Sequence, residues 1–573
     1  MSAPTTIPTS ATSDVVTAVI KVDGTEMPGI YEVLAVTVVR EVNRIPSAII
    51  HLKDGEAARQ TFATSDADLF VPGKEIEIQL GYRSQNASVF KGIVIRHGIK
   101  VRTGNSMLVV ECRDTAERLA HSRKSSYFSD EKDSDIMESL LDAAGLESNI
   151  ASLGSDVGQL IQFDSTDWDW IVCRAEAHGC VVIVDDGLVS VVRPDGRSEP
   201  PIAVTFGATL MELDIETDAR VQDSTVEALS WNPAEQTLST GEAEEPTVST
   251  NGNIGPDELA AVLGVGTRSL RHGAWLKEPE LKAWADGHLA RQRFCRARGR
   301  ATFQGFPDLR PGNTIKVEGI GERFSGTYFV SGIRHAYEGG QWRTHAQLGL
   351  SVEQHFQRFH ISSDHAGGLI PAVPGLQIGI VTALAGDPDG EDRIRVRMPL
   401  VNKDAEGVWA RLATLDAGSG RGTYFRPEID DEVVIGFVHD DPRHAVILGQ
   451  LHSSSKSAPE PASDENAKKG YVSREKLSII FDDETKSIEL TTPSGNTISL
   501  SEDEKQIAVK DQHGNSLKMS SDGIVITSIK DVTLSATGNV KIEGVQLALS
   551  ASASLKAEGS AMAELKGGIV KIN

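Results

Sequence analysis

Two cysteines and a histidine, Cys173, His178 and Cys180, lie within eight positions of one another and are residue types that bind zinc. A structural zinc site takes four such ligands, commonly supplied by Cys-x-x-Cys pairs. The sequence has no such pair, and the other cysteines, Cys112 and Cys295, are distant along the chain. We therefore predict that these thiols pack in a core and that the chain holds no metal.

A second group, His439, Asp440, Asp441 and His444, combines imidazoles and carboxylates that also bind cations. A proline follows Asp441, and the group lies between two apolar runs. Aspartate and proline favour turns, because the Asp side chain bonds to nearby backbone and the Pro ring fixes φ. The pattern predicts a turn between two strands and no metal site.

Adjacent carboxylates occur at Asp185-Asp186 and Asp482-Asp483. A carboxyl group becomes a catalytic acid where burial or a neighbouring charge raises its pKa. Both pairs fall between short apolar runs, so we predict solvated turn residues. The sequence also has no serine nucleophile elbow, phosphate-binding loop or zinc-protease helix motif. We predict that the chain is not an enzyme and has no catalytic residue or cofactor.

Composition narrows the class of partner. The chain has 573 residues, 57 Lys plus Arg and 81 Asp plus Glu, a net charge of −24. Such a charge disfavours phosphate backbones and anionic lipid, so we expect neither nucleic acid nor a membrane surface as a partner. The N-terminus lacks the basic and apolar regions of a signal peptide. We expect a protein made in the cytoplasm with reduced cysteines.

Short alternating apolar runs separated by Gly, Asn and Asp dominate from Val15 to Arg113 and predict a mainly β fold. Helices are predicted from Asp133 to Gly145, from an N-cap at Ser165 to Gly179, and over 280–298. A hairpin turning at Asp185-Asp186-Gly187 follows the second helix.

Linker-like composition suggests the domain organisation. We predict a domain over 1–365 with an exposed acidic loop at about 232–256, a compact five-stranded domain over 375–452, a linker over 453–475 and a β-rich region over 476–573.

The C-terminal region contains an internal repeat. Gly495-Asn496 and Gly514-Asn515 each open a similar alternating run, 19 residues apart. Repeats of this kind do not bury their apolar face within one chain, so neighbours must cover it. Three chains wound into an intertwined β-prism would do so. The candidate core residues of such a prism are Ile498, Leu500, Ile507, Leu517, Met519, Ile526, Leu534 and Ile542. The alternative is a single-chain parallel β-solenoid, as in a tail fibre or a carbohydrate-binding or carbohydrate-degrading protein.

Three stretches resemble one known family, the VgrG spike proteins of type VI secretion and their relatives in contractile phage tails and extracellular injection particles. The first is TDWDWIVCRAEAHGC at 166–180, and the second runs from LRPGNTIKVEG to FVSGIRHAYEGG, with Pro311-Gly312, Gly326, Tyr328, Val330 and His335 at the matching positions. The third is the domain over 375–452. Its matching positions are Asp387-Pro388, Arg395-Val396, Pro399, Trp409-Ala410-Arg411, Gly422, Pro427-Glu428, Asp431-Glu432-Val433, Phe437, Asp441-Pro442 and Gly449.

The resemblance implies a hub of two small β-barrels with a few helices, an oligonucleotide/oligosaccharide-binding (OB) fold domain and a trimeric β-prism or β-helix. It implies a homotrimer whose six barrels form a pseudo-sixfold ring on a hexameric tube, next to baseplate proteins. A PAAR-type tip protein is expected at Ile569, Val570, Lys571, Ile572 and Asn573. No lysozyme-like insert or effector domain is apparent, so we expect an extracellular injection particle or phage-like tail. The alternative is a type VI spike that delivers effectors.

Overall fold

The computed structural model of the chain describes residues 15–154, 157–248, 251–264 and 266–572. The chain divides into two compact units, residues 1–368 and 369–573. Strands outnumber helices in both, so the predicted mainly β fold class is confirmed. Among the described residues, no helix is long and apolar enough to cross a membrane.

The first unit is built on a 13-stranded sheet. Seven strands form its first half: β1 (Val16–Val22), β2 (Thr25–Glu26), β3 (Val33–Glu41), β4 (Ser47–Lys53), β5 (Glu75–Tyr82), β6 (Gln85–Lys100) and β7 (Met107–Arg113). Burial alternates along them as the two-residue strand period requires. In β3, Val36 and Val38 are fully buried and Thr37 is not. The buried side chains of this half form one hydrophobic core.

A helix-containing segment follows. It comprises a 3₁₀ helix (Thr115–Leu119), β8 (Arg123–Glu131), α1 (Asp133–Ala143), β9 (Glu147–Ile150), β10 (Val157–Thr166), α2 (Asp167–Ala177), β11 (Val181–Asp185) and β12 (Leu188–Val192). Two predicted helices and the hairpin are present, but the predicted caps are wrong. Thr166, one residue after Ser165, accepts a hydrogen bond from the Asp169 amide at 3.0 Å, and α1 has no side-chain cap.

The second half of the large sheet comes from later in the chain. The elements are β13 (Ala203–Thr205), β14 (Leu210–Thr217), a 3₁₀ helix (Ala219–Val221), β15 (Thr225–Asn232), β16 (Thr237–Glu242), α3 (Pro256–Leu263), β17 (Thr267–His272), α4 (Glu278–Cys295), β18 (Ala297–Gln304), β19 (Thr314–Glu318), β20 (Gly326–Glu338), β21 (Gln341–Leu348) and α5 (His355–Arg358). Of these, β13, β14 and β18 to β21 belong to the large sheet, and β15, β16 and β17 form a separate one.

The exposed acidic loop predicted over 232–256 is wrong in its first part. β16 pairs with β15, and Trp231 lies opposite Leu238. Just beyond β16, Glu245 accepts hydrogen bonds of 2.6 and 2.8 Å from the buried Arg293 of α4. Glu245 is thus the counter-charge of the buried Arg293 guanidinium. The prediction of an exposed acidic loop treated this carboxylate as a solvated charge.

β20 joins the two halves of the sheet, because it pairs with β19 and β21 in the second half and with β3 in the first. The two predicted barrels are therefore halves of one continuous sheet, each with its own core.

Two glycines bring α4 against the turn that follows α2. A Cβ atom at Gly179 would lie 2.6 Å from the Gly287 Cα, and one at Gly287 would lie 2.6 Å from the Gly179 nitrogen. The two backbones thus touch at a place where no side chain fits.

The second unit begins with a small barrel. Its strands are β22 (Gln377–Ala383), β23 (Ile394–Arg397), β24 (Val408–Leu412), β25 (Ala417–Gly418), β26 (Arg421–Gly422), β27 (Glu432–Phe437) and β28 (Ala445–Gln450). Five of them close in the order β22-β23-β24-β28-β27. Inward residues such as Ile435 and Ile447 are fully buried.

The chain then forms a seven-stranded antiparallel sheet, which we call the meander. Its strands are β29 (Lys468–Val472), β30 (Ser478–Asp482), β31 (Ser487–Thr491), β32 (Thr497–Ser501), β33 (Gln506–Lys510), β34 (Ser516–Ser520) and β35 (Gly523–Thr527). The antiparallel pairing contradicts the parallel solenoid alternative. β29 falls inside the predicted linker over 453–475, so that linker is shorter than expected. Described residues after Thr527 form no regular strand.

The two Gly-Asn dipeptides of the repeat lie in equivalent turns of the meander. The Asn496 side chain donates to Thr492 at 2.8 Å and accepts from the Gln512 amide at 3.1 Å, in the next turn along the same edge of the sheet. Asn515 likewise accepts from the Ile529 amide at 3.0 Å, just after the last strand. Each asparagine thus ties its own turn to the next segment on that edge.

Candidate functional site: the apolar face of the meander

The cysteines first considered as zinc ligands lie in the protein interior. Cys180 is buried and Cys173 is partly buried. Burial raises the pKa of Cys173 to about 12 and that of Cys180 to about 11, which keeps both thiols protonated at neutral pH. Metal binding needs the thiolate. No group of three or more His, Cys, Asp or Glu within the described residues is arranged to hold a metal ion.

His178 belongs to a buried ion-pair network instead. Its Nε2 lies 2.7 Å from Asp133 Oδ2, and Arg174 donates two hydrogen bonds of 2.7 Å to the same carboxylate. Burial alone would raise the pKa of Asp133, but the hydrogen bonds from Arg174 and His178 outweigh it and lower the pKa to about 2. The network ties α1 to α2 and has the character of a structural contact.

The turn predicted at His439 to His444 is present between β27 and β28, and Asp441 organises it. Asp441 accepts hydrogen bonds of 2.9 Å from both the amide and Nε of Arg443. The bonds from the Arg443 side chain lower the pKa of Asp441 to about 2. Its carboxylate is thus already bound to a guanidinium.

The interpretation of Asp185 and Asp186 as solvated turn residues is wrong. Both accept hydrogen bonds from Arg40 of β3, Asp186 at 2.6 Å, and the Arg40 side chain is only 2% exposed. The turn carboxylates neutralise a buried cation that is 145 and 146 positions away in sequence. Arg40 gives no local sign of this pairing, since it occupies one position of an alternating strand.

The meander carries the largest feature with a functional implication, an apolar face made of two rows that cross its strands. In the first row, facing residues across successive strands are Tyr471, Ile479, Leu490, Ile498, Val509, Leu517 and Ile526. In the second row they are Phe481, Ile488, Leu500, Ile507, Met519 and Ile524. Both rows lie on the same face, because residues two apart in a strand point the same way.

These side chains are unusually exposed for their type. Among the more exposed row members, the solvent-exposed fraction of the residue ranges from 38% for Met519 to 68% for Ile524. The first row lines a concave cavity of about 860 Å³, closed at one side by Phe425 from the barrel, whose ring lies 4.7 Å from that of Tyr471. An exposed apolar surface that runs across all seven strands of the sheet marks an interaction site.

Six of the candidate prism-core residues lie in these rows. Ile498, Leu517 and Ile526 belong to the first, and Leu500, Ile507 and Met519 to the second. The 19-residue spacing of the repeat makes Ile526 the counterpart of Ile507, whereas in the structure the counterpart of Ile507 in its row position is Ile524. The turn before β35 is shorter than that before β33, which shifts the alignment by two positions.

The remaining candidates lie beyond the meander. Leu534 and Ile542 are exposed and are in no regular strand. The predicted tip residues Ile569, Val570, Lys571 and Ile572 are likewise exposed, and Asn573 lies outside the described residues.

Seven row members were not predicted from sequence: Tyr471, Ile479, Leu490 and Val509 of the first row, and Phe481, Ile488 and Ile524 of the second. The repeat was recognised only from Gly495 onward, because the Gly-Asn dipeptide does not occur in the earlier turns. Alternation in KKGYV, SIIFD and SIEL was the available signal.

Comparison with known proteins identifies the class and then the family. Residues 377–452, which include the closed barrel, match the model of the type VI secretion system/phage-baseplate injector OB domain. The resemblance to VgrG-like injector proteins is thereby confirmed. Residues 12–339, more than half of the chain, match the model described as the Alg8 N-terminal domain, and the chain belongs to this family.

Individual relatives are more distant. The type VI secretion spike protein VgrG3 of Vibrio cholerae is 28% identical over 105 residues, which are 17% of this chain and only 10% of that protein. A 43 kDa tail protein of prophage MuSo2 from Shewanella oneidensis has 11% identity and a TM-score of 0.45, covering 58% of this chain and 98% of its own. A Neisseria meningitidis tail protein has 16% identity and a TM-score of 0.44, covering 59% and 97%.

Proposed function

We propose that the chain is the homotrimeric central spike and hub of a contractile injection system. The observation that carries this proposal is the pair of exposed apolar rows on the meander. Full burial of each such side chain contributes about 1.5–3 kcal/mol, so a face of this size strongly favours association. Three copies that turn these rows inward would form a closed prism without further partners.

The hub would adapt this trimer to a hexameric tube. Each chain contributes two halves of the large sheet with separate cores. Three chains then supply six similar units, a number that matches six tube subunits. Force would come from the contracting sheath, and this chain would supply a rigid body that pierces the target envelope.

A PAAR-type cap would bind at the end of the prism. Ile569 and Ile572 are 81% and 84% exposed, and exposed apolar side chains of this kind favour binding of another protein. A chain ending after Gly568 should lose the cap in a pull-down while its native mass stays that of a trimer. Retained cap binding would contradict this assignment.

The role is structural, with no catalytic step. Among the groups considered for chemistry, His178, Asp186 and Asp441 lie in ion pairs, and the Cys173 and Cys180 thiols are held protonated. All four cysteines are free, as in proteins kept in a reducing compartment. The spike would be made in the cytoplasm and act within an assembled injection particle.

Light scattering on the full-length chain tests the proposal. We expect a native mass near 3 × 61.5 = 184.5 kDa, since one chain has a mass of 61.5 kDa. A mass of 61.5 kDa at micromolar concentration would refute it.

A further inference from the structure

The two halves of the large sheet repeat one strand order, although β1 pairs antiparallel with β5 whereas β13 pairs parallel with β19. In the first half the order is β3-β4-β7-β6-β5-β1, and in the second it is β14-β18-β21-β20-β19-β13. Each half contains one long strand, β6 with 16 residues or β20 with 13. Each pairs with one neighbour near its start, β5 or β19, and with another near its end, β7 or β21. The order alone therefore matches β6 to β20 and β3 to β14.

The hydrogen-bond register fixes this match residue by residue. A β-bulge interrupts β6 between Val94 and Arg96, and another interrupts β20 between Val330 and Gly332. The amide of Gly73 donates to the Val94 carbonyl at 2.9 Å, just as that of Gly312 donates to the Val330 carbonyl at 2.9 Å. Val94 is thus the counterpart of Val330.

The other pair of strands carries a matching irregularity. β3 has a bulge between Val33 and Ala35, and β14 has one between Leu210 and Glu212. Following the paired residues across the sheet from Val94 and Val330 leads to Val38 in one half and to Ile215 in the other. Ile215 is the counterpart of Val38.

One junction between the halves is made within the chain, where β20 pairs antiparallel with β3. Its register places His335 opposite Val38, and both side chains are at most 1% exposed. The counterpart junction, β6 with β14, is not made within the chain. Val94 still exchanges hydrogen bonds with Gly73 and Lys74. Among the described residues, β6 beyond Val94 pairs only with β7, and β14 beyond Leu210 pairs only with β18. Each therefore has a free edge.

The side chains along these two edges are exposed where their counterparts are buried. Ile99, the counterpart of His335, is 50% exposed, and Val101 beside it is 57% exposed. Ile215 and Leu213 are only half-buried, whereas their counterparts Val38 and Val36 are fully buried. An open strand edge with apolar neighbours is a site for pairing with another chain.

We propose that β6 of one copy pairs antiparallel with β14 of the next copy, in the register of the β20–β3 junction. The predicted facing pairs are Ile99 with Ile215, Lys100 with Asp214, Val101 with Leu213, and Arg102 with Glu212. The partner is a second copy of this chain, and the proposal rests on the proposed homotrimer, to which it adds the contact that closes the hub.

Charge and hydrophobicity support this register independently of the match that produced it. The register sets two basic residues opposite two acidic ones and two apolar residues opposite two apolar ones. Asp214 is 87% exposed and thus accessible to a partner. Opposite charges and apolar pairs that face each other stabilise antiparallel strands, and a shift by one residue would set Lys100 opposite an apolar residue.

The contact joins two different edges, so it is heterologous and closes into a ring only at a fixed number of copies. With three copies, three junctions within chains alternate with three between chains. The free edges of β6 and β14 are then paired in every copy. Val101 and Arg102 would lengthen β6 and take the places that Tyr337 and Glu338 have in the β20–β3 junction.

Disulfide trapping in the full-length chain tests the register. In Lys100→Cys/Asp214→Cys, the two sulfurs should lie within bonding reach, since directly opposite residues have Cα atoms about 4.5–5.5 Å apart. We expect mild oxidation to give covalent trimers on a non-reducing gel. The matched control, Lys100→Cys/Glu216→Cys, places the second cysteine two residues away on the same face. It should give about tenfold less product, since diagonal neighbours are about 7–8 Å apart.

Mixing the two single variants sharpens the test. A heterologous contact predicts that Lys100→Cys and Asp214→Cys chains, co-expressed with tags of different size, cross-link to each other and not to themselves. Self-cross-linking of either single variant would overturn the proposed pairing.

Light scattering on the same samples distinguishes a failure of the proposed homotrimer from a failure of the proposed β6–β14 pairing. A trimeric mass with cross-linking of the Lys100/Asp214 pair supports both. A trimeric mass without it, or with equal cross-linking of the Glu216 control, overturns the strand pairing and leaves the trimer standing. A monomeric mass overturns the proposed function and this contact with it.

Discussion

The small barrel and the meander are successive parts of one compact unit, yet they treat their apolar residues in opposite ways. The barrel closes on itself, and inward residues such as Ile435 and Ile447 are fully buried within one chain. The meander is an open sheet, and Leu500 and Ile507 at its centre remain more than 40% exposed. Closure makes the barrel self-sufficient, whereas the apolar face of the meander stays exposed within one chain and would be covered by other copies in the proposed trimer. The comparison predicts that substitutions in the two regions differ in how their effects depend on assembly.

The largest effect is expected from Leu500→Asp in the second row of the meander. In the proposed trimer this change would bury an unpaired carboxylate, which costs several kcal/mol per chain. Light scattering should show the native mass falling from three chains towards one. Ser499→Asp, on the opposite face of the same strand, is the matched control and should remain trimeric. A trimeric Leu500→Asp protein would remove the distinction between the two regions.

In the barrel, Ile435→Ala should cost about 2–5 kcal/mol, because it leaves a cavity in a closed core. Hydrogen exchange measured on peptides from 377–450 should report this loss to the same extent in dilute and concentrated samples. Val434→Ala, whose side chain is only half-buried on the outward side, should have a much smaller effect. A loss that varied with protein concentration would mean that the barrel also depends on neighbouring copies.

A smaller effect is expected from Asn496→Ala in the turns of the meander. The change removes the hydrogen bond that Asn496 accepts from the Gln512 amide and should cost about 1 kcal/mol. Faster exchange of the Gln512 amide would show it. Gln512→Ala keeps that amide bond and serves as the control, and equal effects of the two changes would argue against the tie between turns.

The smallest effect concerns the pH dependence of the barrel. The hydrogen bonds from Arg443 lower the pKa of Asp441 from 3.8 to about 2. A depressed pKa means that the carboxylate stabilises the folded state above the unfolded pKa, and this contribution is lost as the pH falls from 3.8 towards 2. Asp441→Asn should therefore melt below the wild type at pH 7 and equal it near pH 2. A difference that persists at pH 2 would rule out this charge as the cause.

Sequence patterns predicted the local elements well. The runs beginning at Asp133 and after Ser165 form helices, and Gly187 turns the hairpin between β11 and β12 with a φ of 93°. The hydrophobic period and the glycines act over a few positions, so they can be seen in sequence, whereas the capping residues were predicted wrongly.

Contacts over long sequence separations were not predicted. Nothing near Asp185 shows that its carboxylate will meet Arg40, and nothing near Glu245 shows that it will meet Arg293. Members of the two rows were predicted only where the repeat was explicit, from Ile498 onward, and even there Val509 and Ile524 were missed. The match between the two halves of the large sheet depends on strand order and bulges. Short motifs that occur in both halves, such as Pro72-Gly73 and Pro311-Gly312, do not specify either of these.

The contact of Gly179 with Gly287 limits which substitutions these two positions can accept during evolution. In most packed pairs, a larger residue on one side can be accommodated by a smaller one on the other. Here both partners already have no side chain, so no compensating substitution exists for either position. A substitution at either glycine therefore cannot be compensated at the other. Homologues in which α4 approaches the turn after α2 this closely should have glycine at both positions.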